Sequence, residues 1–405
     1  MSTVQTSSAL APFRVRSFRF QWPADLLTSW AAEMETLILA WYVLTETGSV
    51  LLLTVFASLS FLGTLLAPMY GVIGDRIGHR NLLCILRATY ACLAATLTVL
   101  ALTGAVSPTY VFAVATLAGL VRPADQMTRN ALIGETMVAQ NLMSAMGMSR
   151  STQDSARVAG ALAGAGLFAV LGFGPAYLFV TSFYLAGLAL TFGIAKAAPA
   201  AHGPRSSHWR DLTDGLAYVW TTPKLLALIW LAFLVNLAAY PINGLLPYVA
   251  KQIYGLDQTG LGYLVAAYAS GALLGSVLMA ATGWPRRPMR PMILGTLAWF
   301  VGFLVFGQVR SAQLGAPVLF GIGLAQSVAM ISMAVALLSA SQGQFRGRVM
   351  GVRMLAVYGM TPGLLASGVL VERLGFPATV TFFCVIGLLF TALIAIRWRA
   401  ALWNE

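Results

Sequence analysis

The 405-residue chain is 59% hydrophobic and only 9% charged, with a mean hydropathy of +0.79, which lies outside the range of soluble globular domains. Its formal net charge of +12 would suit a nucleic-acid-binding protein, but most of the 25 basic residues are spread over the connections between long apolar runs. The composition therefore indicates an integral membrane protein and excludes nucleic acid as its partner.

Twelve apolar stretches approach the length of about 20 residues that a helix needs to cross a bilayer. They lack the alternating pattern of membrane strands, so we predict an all-α membrane bundle. Residues 1–21 lack the features of a cleaved signal peptide, and they are expected to form a cytoplasmic tail, as are residues 397–405. In chain order, the predicted spans cover residues 22–44, 50–73, 82–102, 109–125, 145–171, 176–195, 225–249, 261–281, 292–309, 316–340, 349–371 and 378–396.

The basic residues predict the topology. They concentrate in the two tails and in the even-numbered connections, whereas the odd-numbered connections hold only Lys251, Arg310 and Arg373. By the positive-inside rule, both termini are expected in the cytoplasm, with the protein in a cell inner (plasma) membrane.

The longest polar connection, residues 196–224, is a predicted cytoplasmic linker that divides the spans into two sets of six, residues 22–195 and 225–396. Within the linker, residues 209–220 fit a short amphipathic helix. Two glycines eight residues apart lie near the end of the second span, Gly63 and Gly71, and of the eighth span, Gly275 and Gly283. A short basic connection follows in each case. This repeat predicts two pseudo-symmetric halves, with the substrate near the middle of the membrane.

The connection between the second and third spans reads GVIGDRIGHRNLL, in which glycine, aspartate, arginine, glycine and a further basic residue follow in order. It resembles the signature loop of the major facilitator superfamily. Two other stretches, WYVLTETGSVLLLTV and FRGRVMGVRMLAVYGMTPGLLASGVLVERLG, resemble the branch that contains the enterobactin exporter and macrolide-efflux pumps. The resemblance implies the major facilitator fold, transport by alternating access, and export rather than uptake.

By the same resemblance, Asp75 of the signature loop would lie against the positive N-terminal end of the eleventh helix and close a cytoplasmic gate. Three glycines in the loop permit tight turning and close approach of helices. The predicted gate residues are Gly71, Gly74, Asp75, Arg76, Gly78, Arg80, Arg122, Asp125, Arg346 and Arg348. For Arg122, snorkelling toward the membrane surface is an alternative, and snorkelling is also the prediction for Arg87.

Two positions depart from the family pattern. The fifth span reads ARVAGALAGAG, with Ala161 where the antiporter signature has proline, and this leaves uptake open as an alternative. The first span has Ala32 and Glu33 where the branch has a Gly-Asp pair, so the acid is kept with a longer side chain.

Acids inside the spans are the candidates for proton coupling, because a charge in hydrocarbon is costly enough to suggest function. They are Glu33, Glu35 and Asp154. Glu33 and Glu35 lie about 200° apart around a helix and cannot face the same cavity. Glu33 is preferred because it falls near the acidic position of the branch; for each acid the alternative is a carboxyl held by hydrogen bonds to a neighbouring helix. Asp154 and Arg157 are three residues apart and fit an ion pair.

The seventh span contains Pro241 and Pro247, so the helix is predicted to break near its outer end, where backbone can face a cavity. Polar side chains in the spans are candidates for substrate contact, with bridging between helices as the alternative. They are Arg157, Asn236, Tyr240, Asn243, Tyr268, Gln326 and Tyr358.

The prediction for function is a proton-coupled secondary transporter that exports an amphiphilic organic molecule and needs no cofactor. The chain has no G-x-x-x-x-G-K-[ST] phosphate-binding pattern, and its three histidines and three cysteines suggest neither a metal site nor a disulfide framework. The alternatives are an uptake transporter or uniporter for a siderophore, nutrient or lysolipid, and a membrane-embedded transferase. The expected partners are a small molecule, protons and lipid, with the protein as a monomer.

Overall fold

The computed structural model describes residues 11–195, 208–282, 287–342 and 345–399, and the regular structure in these ranges is helical throughout. In chain order the α-helices are α1 (Arg16–Thr47), α2 (Val50–Leu59), α3 (Ala67–Ile77), α4 (His79–Leu102), α5 (Pro108–Thr136), α6 (Ala139–Leu171), α7 (Phe173–Thr191), α8 (His208–Thr221), α9 (Pro223–Ala238), α10 (Tyr240–Gly244), α11 (Leu246–Tyr248), α12 (Gln258–Thr282), α13 (Met289–Phe306), α14 (Ala312–Ala340), α15 (Arg346–Leu355), α16 (Met360–Leu374) and α17 (Phe376–Arg397).

Each of the twelve predicted spans coincides with one of these helices or with a consecutive run of them. Among the described residues, nine helical stretches are long and apolar enough to cross a membrane. The other three predicted spans are α1 and α5, which carry several charged residues, and the α2–α3 stretch, which is interrupted by a 3₁₀ turn at Leu62–Leu66. The predicted all-α membrane fold is confirmed.

The seventh span breaks where its prolines predict. Helix α9 ends at Ala238, the short helices α10 and α11 follow, and a π-helical turn closes the span at Val249–Ile253. Pro241 and Pro247 each lie at the second position of a short helix, where a missing backbone N–H costs little.

The contacts between residues divide the chain into two compact units. Unit 1 comprises Met1–Glu46 and Leu59–Gly203, and unit 2 comprises Thr47–Ser58 and Pro204–Glu405. Almost all of α2 therefore packs with helices from the second half of the sequence.

In unit 2, the N-terminal end of α2 is held by a carboxylate of α16. Glu372 Oε1 accepts hydrogen bonds from Ser49 Oγ at 2.8 Å and from the backbone N–H of Leu51 at 3.0 Å. A carboxylate at this end satisfies backbone donors that the helix itself leaves unpaired, and it also complements the helix dipole.

In unit 1, two glycines let the second span and α5 approach to backbone contact. A Cβ atom at Gly63 would overlap the carbonyl oxygen of Leu120, and one at Gly119 would overlap that of Leu59. The two crossings are reciprocal, so any side chain larger than hydrogen at either glycine would force the helices apart.

Candidate functional site

The acids of α1 point to different helices, as their separation along the chain predicts. The Cβ of Glu33 lies only 3.0 Å from the position that a Cβ would take on Gly160 of α6. The carboxylate of Glu35 reaches α7 instead. Both side chains are half-buried, within unit 1.

Arg122 of α5 is the cation beside these acids. Its Nη2 donates to the carbonyl oxygen of Ala32 at 3.4 Å and to Thr36 Oγ1 at 3.3 Å, so the guanidinium lies against the face of α1 between Glu33 and Glu35. Glu33 is the negative charge that acts most strongly on it, and Glu35 acts on it more weakly. The role of Arg122 in the cytoplasmic gate stays a prediction.

Glu35 is held between two tyrosines of α7. Tyr177 donates from its hydroxyl to Oε1 at 2.5 Å, and Tyr184 donates to Oε2 at 2.8 Å. The tyrosines are seven residues apart, so they share one face of α7 two turns apart, and both are buried. The ring of Tyr184 stacks on Tyr90 of α4, with centroids 5.4 Å apart. This arrangement links α1, α4 and α7 through one carboxylate.

A second polar cluster, which we call the charge quartet, consists of Asp25, Arg87, Asp125 and Arg129. Arg87 Nη2 forms a short ion pair with Asp25, and its Nε lies 3.8 Å from Asp125 Oδ1. Arg129 Nη2 lies 2.5 Å from Asp125 Oδ2, and its Nε lies 3.6 Å from Asp25 Oδ1. All four residues are buried, and Arg87 is 0% exposed. The prediction that Arg87 snorkels is wrong, because its charge is neutralised inside the bundle.

Neutral polar groups complete the quartet. Arg87 Nη1 donates to Thr191 Oγ1 of α7 at 2.5 Å, and Arg129 Nη1 donates to Ser29 Oγ of α1 at 2.9 Å. Gln21 Nε2 donates to the carbonyl oxygen of Arg129 at 3.1 Å. The quartet and its neutral partners thus join α1, α4, α5 and α7. Asp125, which was predicted to act in the gate, is paired with arginines of this quartet.

The two clusters differ in how their carboxylates are partnered. The quartet contains two carboxylates and two guanidinium groups, so its formal charges cancel. In the other cluster Arg122 acts on both Glu33 and Glu35, and the hydrogen bonds that Glu35 accepts come from the uncharged hydroxyl groups of Tyr177 and Tyr184. A carboxylate held by uncharged groups inside membrane-spanning helices is costly to keep ionised, and binding one proton can lower that cost.

Asp154 of α6 has an ion-pair partner that was not predicted, and its predicted pair with Arg157 stays a prediction. Its Oδ2 lies 3.5 Å from Nε of Arg150, four residues earlier, and the Arg150 side chain is 65% exposed. The predicted partner, Arg157, is exposed three residues before Gly160 on α6. The Arg150 guanidinium is well solvated while it pairs with Asp154, which makes Asp154 a weaker candidate for a proton carrier than the acids of α1.

The substrate-cavity candidates of unit 2 form two hydrogen-bonded pairs. Gln326 Nε2 of α14 donates to the hydroxyl oxygen of Tyr240 at 3.0 Å, and Asn243 Nδ2 donates to the hydroxyl oxygen of Tyr268 at 3.0 Å. The ring of Tyr240 also packs edge-on against buried Trp299, with centroids 5.1 Å apart. Both pairs start from the broken seventh span and use uncharged groups.

The two remaining candidates in unit 2 are less well placed. Asn236 Nδ2 donates to the carbonyl oxygen of Ala232 on its own helix at 2.8 Å. Tyr358 lies half-buried in the 3₁₀ turn Ala356–Gly359 between α15 and α16.

The signature loop is tied to its own unit. Gly78, with φ of +86°, is the single residue between α3 and α4, a conformation that glycine adopts readily. Arg80 Nη2 donates to the carbonyl oxygen of Phe192 just after α7 at 2.7 Å, and His79 Nδ1 lies 2.7 Å from Glu135 Oε1 of α5. A Cβ on Gly74 would meet the His79 ring.

The other gate candidates are placed as follows. Arg76 is exposed at the end of α3; Gly71 lies in the same helix, and the side chain of Asp75 is outside the described part of the structure. Arg346 is exposed at the first position of α15. Arg348 Nη1 lies 3.5 Å from Asp214 Oδ2 of the linker helix α8. The contact between Asp75 and the start of α15 stays a prediction.

Helix α8 is packed onto α15 within unit 2. The rings of Tyr218 and Phe345 stack with centroids 4.4 Å apart, and the Arg348 guanidinium lies 5.4 Å from the centroid of the Phe345 ring. A Cβ on Gly215 would lie 3.0 Å from the Cβ of Arg348. The predicted amphipathic helix therefore exists, and one of its faces covers the beginning of α15.

Four important residues were not among the predicted sites: Asp25, Arg129, Tyr177 and Tyr184. Spacing could have identified two of them. Gln21, Asp25 and Ser29 recur every four residues on α1, and Arg122, Asp125 and Arg129 are spaced by three and four on α5. Arg129 was assigned to a connection because the predicted fourth span ended at residue 125, although α5 continues to Thr136.

Comparisons with known proteins cover almost the entire chain. The sequence profile of a family described as transmembrane secretion effector, one of the major facilitator families, matches residues 7–405. No curated protein has a significant sequence match to the chain.

Solved transporter structures are similar in fold. One is a POT family transporter in complex with 5-aminolevulinic acid, with a TM-score of 0.77 and 11% identity, covering 96% of this chain and 97% of that one. A bacterial homolog of the human lysosomal transporter Spinster has a TM-score of 0.74 and 12% identity, covering 95% and 97%. The human organic anion transporter MFSD10 has a TM-score of 0.66 and 17% identity, covering 94% and 99%. At these identities the similarity shows the fold alone.

Proposed function

The chain belongs to the transmembrane secretion effector family of major facilitator transporters, and from this premise we propose that it exports an amphiphilic organic molecule in exchange for protons. It is a multi-pass membrane transporter and not an enzyme. Alternating access between two sides of the membrane is the mechanism that we propose with this fold.

The cluster of Glu33, Glu35 and Arg122 is the observation that carries proton coupling. In a bundle that only needed stable packing, a buried carboxylate would be paired directly with a cation, as in the charge quartet. Glu35 is instead held by hydroxyl groups inside membrane-spanning helices at a cost, and a carboxylate that gains and loses a proton during each cycle explains that cost. Asp154 stays the least favoured candidate, because an exposed arginine already pairs with it.

Export and substrate class are supported by separate observations. The family description names secretion, and the resemblance to the enterobactin-exporter and macrolide-efflux branch agrees with it. The two amide–tyrosine pairs of unit 2 are neutral hydrogen-bonding groups, and Tyr240 also packs against the buried ring of Trp299. Neutral polar groups among aromatic rings suit a molecule with both polar and aromatic or aliphatic parts. Arg157 remains a candidate contact for an anionic group.

Uptake or uniport is the second candidate, and Ala161 favours it. Where the antiporter signature has proline, this chain has alanine, buried in α6. The two directions differ in how the substrate moves when a proton gradient is imposed.

The test starts with a thermal-shift screen of drugs, siderophores and lysolipids against the purified protein, because a ligand stabilises the state that it binds. Stabilising compounds are then loaded into proteoliposomes with an imposed pH gradient. We expect transport against the compound's own gradient, coupled to proton flow in the opposite direction. Transport in the same direction as protons would support uptake instead, and transport unaffected by the pH gradient would contradict proton coupling.

The substrate contacts are tested in the same vesicles. Tyr240→Phe and Gln326→Leu each remove one member of a hydrogen-bonded pair, and we expect each to weaken binding of a stabilising compound by about 5- to 10-fold. Asn236→Leu is the matched control, because its amide is bonded to its own helix. Equal effects of all three changes would contradict the assignment.

Localisation and assembly complete the proposal. We propose that the protein lies in the cell inner (plasma) membrane as a monomer, with both termini in the cytoplasm and no cofactor. Reporter fusions at each terminus, active on only one side of the membrane, test the topology, and the mass of the detergent-solubilised particle tests the monomer.

A further inference from the structure

We propose that Glu35, and not Glu33, binds the coupling proton, and that Tyr177 and Tyr184 are positioning residues that set the pH at which it does so. The inference rests on the proposed proton coupling of this transporter. It reverses the choice that the family position of Glu33 suggests, and it follows from how the two carboxylates are partnered.

Glu33 has the stronger interaction with the cation. Arg122 interacts more strongly with Glu33 than with Glu35, and its hydrogen bonds to Ala32 and Thr36 hold it against α1. A fixed guanidinium favours the charged form of a carboxylate near it. Of the two acids, Glu33 is therefore the one that Arg122 compensates more.

Glu35 is held by hydroxyl groups. Its two oxygens accept hydrogen bonds from Tyr177 and Tyr184, and Arg122 acts on it only as a more distant charge. Hydroxyl donors orient an ionised carboxylate but do not neutralise it. When one proton enters the cluster, Glu35 is the group whose formal charge it cancels.

The tyrosine pair also distinguishes the two protonation states. An ionised Glu35 accepts from both hydroxyls at once. A protonated Glu35 carries one O–H that must donate, so one tyrosine hydroxyl has to turn from donor to acceptor. Tyr184 stacks on Tyr90 of α4. The change in hydrogen bonding therefore occurs where the three helices α1, α4 and α7 meet.

The other charged and titratable groups around Glu35 lie on four helices. Arg122 faces Glu35 from α5, and Tyr90 on α4 contacts Tyr184. Glu33 lies two residues away on α1, and Arg157 lies one turn before Gly160 on α6, which packs on Glu33. Asp125 and Arg129 of the charge quartet act on Tyr90 and offset each other. Tyr177 and Tyr184, which we call the clamp, are thus the part of the site that a substitution can change selectively.

The test needs no substrate, because the probe is the proton. Purified protein in lipid vesicles is titrated with pH while infrared difference spectra follow the carbonyl stretch of protonated carboxyl groups. In the wild type we expect one band that disappears as the pH rises. Glu35→Gln should remove this band, and the matched variant Glu33→Gln should retain it. Loss of the band in Glu33→Gln with retention in Glu35→Gln would overturn the inference.

The tyrosines provide an independent readout with Glu35 intact. Tyr177→Phe and Tyr184→Phe each remove a donor to the ionised form, so the midpoint of the band should move to higher pH, by about one unit for each change. Tyr90→Phe is the control, since its contact with the clamp is ring stacking, and it should move the midpoint by much less. An unchanged midpoint in both clamp variants would contradict the positioning role.

The outcomes separate this inference from the proposed function. If the Glu35 band titrates but transport by the wild type ignores a pH gradient, proton coupling fails while the assignment of the titrating group stands. If transport is coupled to protons and the Glu35→Gln variant still couples, the assignment fails while the proposed function stands. Should Glu35→Gln not fold, Glu35→Asp keeps the acid, and its band should shift in midpoint; an identical band would count against Glu35.

Discussion

The charge quartet makes a strong prediction about stability. Arg87→Met removes a guanidinium that is 0% exposed, pairs with Asp25, lies 3.8 Å from Asp125 and donates to Thr191. Two buried carboxylates would then share Arg129 alone, which leaves one uncompensated negative charge. Removing one partner of a buried ion pair costs about 3–5 kcal/mol, so we expect a loss in the free energy of unfolding of that size.

A double variant separates charge balance from packing. Arg87→Met combined with Asp25→Asn removes one charge of each sign, and Asp125 keeps its 2.5 Å contact with Arg129. We expect the double variant to recover about 2–3 kcal/mol relative to Arg87→Met alone, because no unpaired charge remains. The control is Arg150→Met, which also breaks an arginine–aspartate pair, but one in which the arginine side chain is 65% exposed. That change should cost about 0.5 kcal/mol or less.

The assay is reversible unfolding in mixed micelles by titration with a denaturing detergent, followed by tryptophan fluorescence. The reasoning is refuted if Arg87→Met costs no more than Arg150→Met, since burial would then not determine the value of the pair. It is equally refuted if the double variant is as unstable as the single one, since the loss would then come from packing and not from charge.

Two further predictions concern helix contacts. Gly119→Ala should destabilise unit 1 by about 1–3 kcal/mol in the same assay, because its Cβ would overlap the Leu59 carbonyl. The control is Gly134→Ala, which has open space on the same helix and should be neutral or slightly stabilising. Equal effects of the two changes would contradict the close crossing. Glu372→Gln should speed amide hydrogen exchange at Leu51 by about fivefold, because the carboxylate caps α2. The control Arg373→Gln should leave the exchange rate unchanged. An unchanged rate in both variants would show that Glu372 does not cap α2.

Much of the membrane fold could be predicted from the sequence. The length of an apolar run and its residue types are local properties, and together they determine whether a segment crosses a bilayer as a helix. All twelve predicted spans coincide with helical structure for that reason. The break in the seventh span followed from Pro241 and Pro247, because the chemistry of proline acts on its own backbone wherever it lies.

Helix ends were less predictable where polar residues continue a helix. The fourth span was predicted to end at residue 125, yet α5 runs to Thr136. Arg129 is paired inside the bundle, so its charge does not end the helix. A hydropathy scale places an arginine outside the membrane. Only its ion-pair partner on another helix allows it to lie inside the bundle.

The sequence by itself determined the class of protein, the positions of the spans, the signature loop and the opposite directions of Glu33 and Glu35. The tertiary structure decided the partners: Arg122 with Glu33, Tyr177 and Tyr184 with Glu35, Arg87 with Asp25, and α2 with α16. The sequence of a helix determines on which face each residue lies. Which other helix packs against that face depends on how distant segments of the chain come together. The partners that distinguish the charge quartet from the cluster proposed to bind a proton are a property of those neighbours.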